Sequence, residues 1–220
     1  GFIGAVQDNY TRTLENFYAT GAVSGVGYVG GLVGYAYRGT FNNAYSTGLI
    51  TGTSNVGASF GSVGTGTTVT GVSPNQTTTY WVIRNNLYYD TTTTGMSINT
   101  DAVGGGGTGA ATGLATASLQ GALPHANWSS STWGTGTHLY PYLKAIYGSA
   151  TPQAVEGVAY LADGTTPAAG AQVGLYGNQY LLNGGTMSTG ANGYFYELIA
   201  NTSGGGLFAD ARLVINSSTQ

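Results

Sequence analysis

The ten residues "NFYATGAVSG", 16 to 25, return as "NAYSTGLITG", 43 to 52, with Asn, Tyr, Thr and Gly kept in place and Ala22-Val23 replaced by Leu49-Ile50. The correspondence runs on without a gap, so Val29, Gly30 and Gly34 fall on Val56, Gly57 and Gly61. Each copy reads as short β-prone runs separated by glycine, 16–20, 22–24 and 29–37 and then 43–47, 49–51 and 56–63. Three short strands in every ~20–30 residues, with glycine at corners that need positive φ, is the pattern of one coil of a β-helix or solenoid. In such a stack equivalent residues lie about 4.8 Å apart, and like side chains form ladders. Asn16 over Asn43 and Tyr18 over Tyr45 are the predicted ladders, with Gly21 and Gly48 at equivalent corners. Val23 over Ile50 and Val33 over Phe60 are the predicted inward-facing core.

The register extends in both directions. Gly1-Phe2-Ile3-Gly4 matches Gly31-Leu32-Val33-Gly34, which predicts a chain that starts inside a coil and is a fragment of something longer. Downstream, "NLYYDTTTTG", 86–95, repeats the Asn-x-Tyr start after an insertion at 72–80 that contains Pro74. The run Gly104 to Gly107 reads as a surface loop. "ATASLQGAL", 115–123, is the predicted helix, with Thr116 or a neighbour as N-cap and Pro124 beyond its end. Residues 128–148 gather large aromatics, which a solenoid uses to close its open end. After a polar linker at 149–153 the pattern becomes alternating strands, "VEGVAYLA", "AQVGLYG", "GYFYELIA" and "ARLVINS", as in a small antiparallel sandwich. The expected fold is therefore all-β: the end of a β-helix over 1–148, then a β-sandwich over 154–220.

Composition narrows the function. Only 6% of residues are charged, with 39 glycines and 17 tyrosines, and the net charge is -3. Such a surface carries no basic footprint for nucleic acid or an anionic membrane. With no cysteine there is neither a disulfide nor a thiolate metal site. No apolar run approaches the ~20 residues of a membrane span, and the first residues do not form a signal peptide.

Catalytic chemistry has few candidates. The carboxylates are Asp8, Glu15, Asp90, Asp101, Glu156, Asp163, Glu197 and Asp210; the histidines are His125 and His138. β-Helical polysaccharide-cleaving enzymes gather carboxylates on adjacent coils, yet 16–61 hold Arg38 and no acid. Asp90 and Asp101 read as turn formers before they read as catalytic or calcium-binding groups. The two histidines lack a third ligand at metal spacing and read as surface residues. Trp128, Trp133, Tyr140 and Tyr142 have two readings: a platform for stacking on sugar faces, or hydrophobic closure of the solenoid.

"VGGLVGYAYRGTFNNAYSTGLITG" resembles the GLUG repeat, whose Gly-Leu-hydrophobic-Gly core is here Gly31-Leu32-Val33-Gly34. With "NLYYDTTTTG", "GLATASLQGALP", "THLYPYL" and "VEGVAYLADGTTPAAGAQVGLYG" following in order, nearly the whole chain resembles the passenger of filamentous-haemagglutinin-like bacterial exoproteins. That resemblance implies a secreted, cell-surface β-helix exported through an outer-membrane partner pore, acting in adhesion or surface structure, without catalytic residues or a cofactor. Self-association into filaments by strand addition is a variant of it, and a carbohydrate-binding module is the alternative; a polysaccharide-degrading β-helix enzyme ranks third. Gly57-Ala58-Ser59-Phe60-Gly61 lacks the Gly-Leu pair, which predicts a distorted coil. The C-terminal part resembles transthyretin-like or Cna-B-type sandwiches, some of them cross-linked by a Lys–Asn isopeptide bond. No lysine follows Gln153, so an internal bond of that kind has no donor, and Glu156 and Glu197 read as solvent-facing.

Overall fold

The computed structural model describes residues 1–7, 12–64, 67–70, 77–80, 82–97, 103–105, 111–148, 150–177, 180–201 and 212–216. Contacts divide the chain into two compact units, one of Gly1–Ser46, Ile50–Tyr89 and Met96–Gly113, the other of Thr47–Leu49, Asp90–Gly95 and Leu114–Gln220.

The first unit is a β-solenoid of about three turns. Its strands are β1 (Ile3–Val6), β2 (Thr13–Ala19), β3 (Val23–Gly30), β4 (Val33–Ala36), β5 (Gly39–Ser46), β6 (Ile50–Gly57), β7 (Phe60–Val63), β8 (Thr67–Thr70), β9 (Thr77–Tyr80), β10 (Val82–Asp90) and β11 (Ala111–Leu114). They form three strips, β1-β4-β7, β2-β5-β10 with β11 at the flank, and β3-β6. The rungs pair in parallel: Tyr18 with Tyr45, Val23 with Ile50, Val33 with Phe60. Ile3 pairs with Val33, so the first four residues lie in the solenoid register. β8 and β9 form an antiparallel hairpin inserted before the third turn, where the sequence showed an extra segment; 71–76 lie outside the described residues.

The core of this unit is a column of Leu32, Val33, Phe41, Phe60, Leu87 and Tyr89, all essentially without exposure. Each such side chain contributes ~1.5–3 kcal/mol by leaving water. Phe41 meets Phe60 edge-on at 5.0 Å. The motif glycines serve close backbone approach: a Cβ on Gly34 would lie 2.6 Å from the Tyr28 carbonyl oxygen, and one on Gly61 would strike the Tyr28–Val29 peptide.

Three expectations for the solenoid are corrected. Positive φ does not fall on Gly21 or Gly48: it occurs within the strands at Asn16 (57°), Asn43 (53°), Asn55 (51°) and Asn86 (54°), at Tyr28 (57°), and among the glycines of this unit at Gly39 (134°) and Gly105 (48°). Asparagine tolerates this region because its short polar side chain bonds locally. The coil at 57–61 is not distorted: the main-chain N–H groups of Leu32 and Val33 both bond the Ser59 carbonyl at 2.9 Å, since Ala58 and Ser59 are small enough for full burial and Phe60 fills the core. The surface loop expected at 104–107 is corrected at its start: Val103 bridges Phe60 in parallel and the Gly104 N–H bonds the Phe60 carbonyl (2.9 Å), which continues the β1-β4-β7 strip, while Gly105 is exposed in a bend with its carbonyl accepting from Ser62 Oγ (3.2 Å). Residues 106–110 lie outside the described ones.

The second unit contains α1 (Thr116–Leu119), the hairpin of β12 (Trp133–Gly136) and β13 (Leu139–Leu143), α2 (Lys144–Tyr147), β14 (Gln153–Val158), β15 (Gln172–Gly177), β16 (Tyr180–Ser188), β17 (Tyr194–Ile199) and β18 (Arg212–Asn216). β14 pairs antiparallel with β17, and β15 lies between β16 and β18. Val173, Phe195, Ala159 and Ala168 form the core of these two small sheets. β16 is a strand beyond the four quoted from the sequence; its backbone pairs with β15, with a register shift near Gly174. The expected helix over 115–123 is one turn, and Ala115 gives it no side-chain cap. Thr116 spends its hydroxyl elsewhere, as described below.

The boundary expected at 149–153 is not where the contacts divide. β14 begins inside that stretch at Gln153, and Leu139 and Tyr142 of β13 pack with Leu198 of β17, with Tyr147, Ala154 and Tyr196 around them. The aromatic hairpin thus shares a core with the sandwich.

Candidate functional site

Asp90 ends β10, and Thr91, Thr92 and Thr93 turn immediately after it. Its exposure is 0%. A carboxylate removed from water must find donors or neutralise. Oδ1 accepts the main-chain N–H groups of Thr92 (2.8 Å) and Thr93 (3.1 Å), the arrangement of an Asx turn. Oδ2 accepts the Thr116 hydroxyl at 2.7 Å and the Tyr140 hydroxyl at 2.5 Å. The expected turn former is thus also a buried hub that ties the start of α1 and strand β13 to the 90–95 turn.

The network continues past Tyr140. Its main-chain N–H bonds the Tyr196 hydroxyl at 3.2 Å, and the two rings meet edge-on at 4.9 Å. Two residues along β17, the Tyr194 hydroxyl donates to Glu156 Oε2 and accepts from Gln120 Nε2 at 3.0 Å. Glu156 is solvent-facing and engaged at once. Burial pushes all three phenols above their ordinary range. The charge and hydrogen bond of Asp90 add to the shift of Tyr140, and the hydrogen bond to Glu156 adds to that of Tyr194. These phenols stay protonated; Tyr140 and Tyr194 donate to carboxylates, and the Tyr196 hydroxyl accepts from the Tyr140 main chain. Such a group of donors closed around one carboxylate fixes chain segments; a general acid or base has to reach a substrate proton.

The turn itself is clasped on other sides. Thr93 Oγ1 donates to the Thr47 carbonyl at 2.6 Å, the Ala191 N–H bonds the Thr93 carbonyl at 2.7 Å, and Gly190 packs so close that a Cβ there would lie 2.8 Å from Thr93 Cβ.

The four candidate aromatics are Trp128, Trp133, Tyr140 and Tyr142, exposed by 2%, 1%, 1% and 4%. The two indoles stack at 4.4 Å. A ring that stacks on a sugar must offer a face, and these four are covered, as in the closure reading. His125 Nδ1 accepts the Asn127 N–H (3.0 Å), while His138 occupies the left-handed position (φ 60°) in the β12–β13 turn. Asp8, Asp101 and Asp210 lie outside the described residues. Among the described residues no three His, Asp or Glu side chains group as a metal site would require.

The ladder residues come together across the turns. Asn43 Nδ2 donates to Asn16 Oδ1 at 3.3 Å, and Asn86 Nδ2 to Asn43 Oδ1 at 3.0 Å. The Tyr18 and Tyr45 rings stack with centroids 5.2 Å apart and planes within 6° of parallel, and Tyr88 holds the next rung of the same register. A second amide rung, Asn85 Nδ2 to Asn42 Oδ1 at 2.9 Å, lies on the exposed face. Gly21 is exposed and Gly48 buried, each in a bend after its strand.

Compared with protein-family models, curated proteins and solved structures, the chain gives no significant match to any.

Proposed function

We propose that the chain is a non-catalytic structural segment of a secreted bacterial surface adhesin or extracellular filament, exported through an outer-membrane pore and serving attachment or matrix assembly. The observation that carries this reading is the amide ladder Asn16–Asn43–Asn86 beside the tyrosine register Tyr18–Tyr45–Tyr88, which couples successive turns through side chains as well as backbone. A stack coupled in this way resists bending and extends by repetition, the properties of a spacer that holds a contact surface away from a cell. The buried, fully engaged Asp90 fits a scaffold, since its oxygens are committed to holding chain segments.

The test is display of the chain on a non-adherent bacterium, scored for attachment to host cells and abiotic surfaces and for growth of intercellular matrix. Increased attachment or matrix supports the scaffold role; unchanged adhesion together with release of reducing ends from a polysaccharide panel overturns it. Tryptophan fluorescence that stays constant across neutral glycans agrees with the burial of Trp128 and Trp133, and saturable quenching would restore the carbohydrate-binding alternative.

A further inference from the structure

We propose that Tyr18 and Tyr45 form an oxidative cross-linking site, at which a haem peroxidase with hydrogen peroxide joins the two rings and covalently staples neighbouring turns of the solenoid. The chain has 17 tyrosines and no cysteine, so a covalent tie between its turns cannot be a disulfide. Parallel pairing of β2 with β5 sets the two residues opposite each other, and the rings lie 5.2 Å apart with planes 6° from parallel. Register on both sides, Phe17 with Ala44 and Ala19 with Ser46, prevents the pair from sliding apart. Tyr18 is partly exposed and meets the oxidant; the buried Tyr45 beside it passes its electron and proton to the Tyr18 radical, and the peroxidase then oxidises Tyr18 a second time.

The chemistry balances with the named co-reactant. Each phenol loses one electron and one proton, and one hydrogen peroxide is reduced to two waters. The two phenoxyl radicals join at ring carbons ortho to oxygen, and the hydrogens displaced there return to the phenol oxygens, so the product has lost two hydrogens in all. Tyr88 follows Tyr45 in the same register but is itself buried, so the rung with a partly exposed ring is Tyr18–Tyr45. Three further tyrosine pairs are arranged differently. Tyr28 and Tyr35 are tilted by 52°, whereas Tyr140–Tyr196 and Tyr142–Tyr147 are edge-on, with Tyr140 hydrogen-bonded to a carboxylate. The parallel pair sets the two ring faces toward each other.

The step does not depend on the surface role proposed above, and its failure leaves that role untouched. The experiment treats the dilute full chain with horseradish peroxidase and limiting hydrogen peroxide, then isolates the monomer and maps it by tandem mass spectrometry. The expected result is dityrosine fluorescence in the monomer and a cross-linked peptide pair containing Tyr18 and Tyr45, short by two hydrogens. Tyr18→Phe abolishes that pair and Tyr28→Phe leaves it in place. A monomer without dityrosine, coupling confined to Tyr28–Tyr35 or to Tyr45–Tyr88, or cross-links only between chains would each overturn the proposal, and the wild-type map decides even if a variant fails to fold.

Discussion

Asn43 donates its side-chain amide to Asn16 Oδ1 at 3.3 Å while both residues hold a left-handed backbone, φ 53° and 57°. The two facts belong together. A left-handed residue with a Cβ costs roughly 1–2 kcal/mol, and here the same conformation recurs at each rung where the amides meet. Asn86 adds the third rung, so Asn43 is at once donor and acceptor.

Replacing Asn43 separates the two contributions. Asn43→Ala loses both amide bonds and keeps the steric cost, so a destabilisation of about 1–3 kcal/mol is expected, given ~0.5–1.5 kcal/mol per hydrogen bond. Asn43→Gly removes the bonds and relieves the steric cost, so it should lose roughly 1 kcal/mol less. Urea unfolding midpoints compare the two; equal losses would mean that the left-handed conformation is not what asparagine supplies.

At Asp90 the expectation rests on what is left behind in the interior. Tyr140→Phe deletes one bond to a charged acceptor and should cost about 1.5–3 kcal/mol. Asp90→Ala leaves the Tyr140 and Thr116 hydroxyls without their acceptor and should cost more. In the double variant the losses should fall short of additive by ~0.5–3 kcal/mol, because the two groups share one bond. Full additivity in a thermal-denaturation cycle would refute the hub.

The buried phenols make alkaline stability informative. Tyr140, Tyr194 and Tyr196 are raised above the ordinary value of 10.0 by burial first, with carboxylate neighbours adding to it. The folded state therefore keeps protons that the unfolded state gives up. Their contribution is complete below pH 10.0, falls as pH rises above it, and is lost through the folded values. Denaturation midpoints between neutral and strongly alkaline pH should fall beyond that point, with delayed tyrosinate absorbance for these rings. Tyr140→Phe should flatten the fall, and a midpoint that does not change would contradict their burial as protonated phenols.

Asp163 offers a local test at the surface. Its carboxylate accepts the Thr166 hydroxyl and the N–H groups of Thr165 (2.9 Å) and Thr166 (2.8 Å), and these bonds lower its pKa to about 2. The ionised turn should persist until pH falls below the usual value of 3.8 and be lost near the lowered one. Carboxyl chemical shifts report the titration. Thr166→Val should move it upward, and an unmoved midpoint would remove the hydroxyl from the account.

The solenoid was legible where spacing and identity coincide. Asn16-Phe17-Tyr18 and Asn43-Ala44-Tyr45 announce their register because no residue is inserted between the copies. Asn86-Leu87-Tyr88 is the same rung at a separation of 43 instead of 27, and the intervening hairpin hides the period. The role of Asp90 was not legible. Its threonine-rich turn is visible in the sequence, but Thr116 and Tyr140 are 26 and 50 positions away, and no local pattern links them. The aromatic segment gave its composition and not its partners: sequence shows that Tyr140 and Tyr142 are ring-bearing, while β17 determines that they are covered.

The β8–β9 hairpin leaves the chain after one rung and returns in time for Val82 to pair with Gly39 and Tyr89 with Ser46. Lengthening has been absorbed sideways, and the spatial pitch did not notice it. A peptide cargo, such as an epitope or a recognition tag, spliced at that outgrowth would be presented by the shaft without loosening its windings, which makes the hairpin the natural grafting point for engineers and for evolution alike.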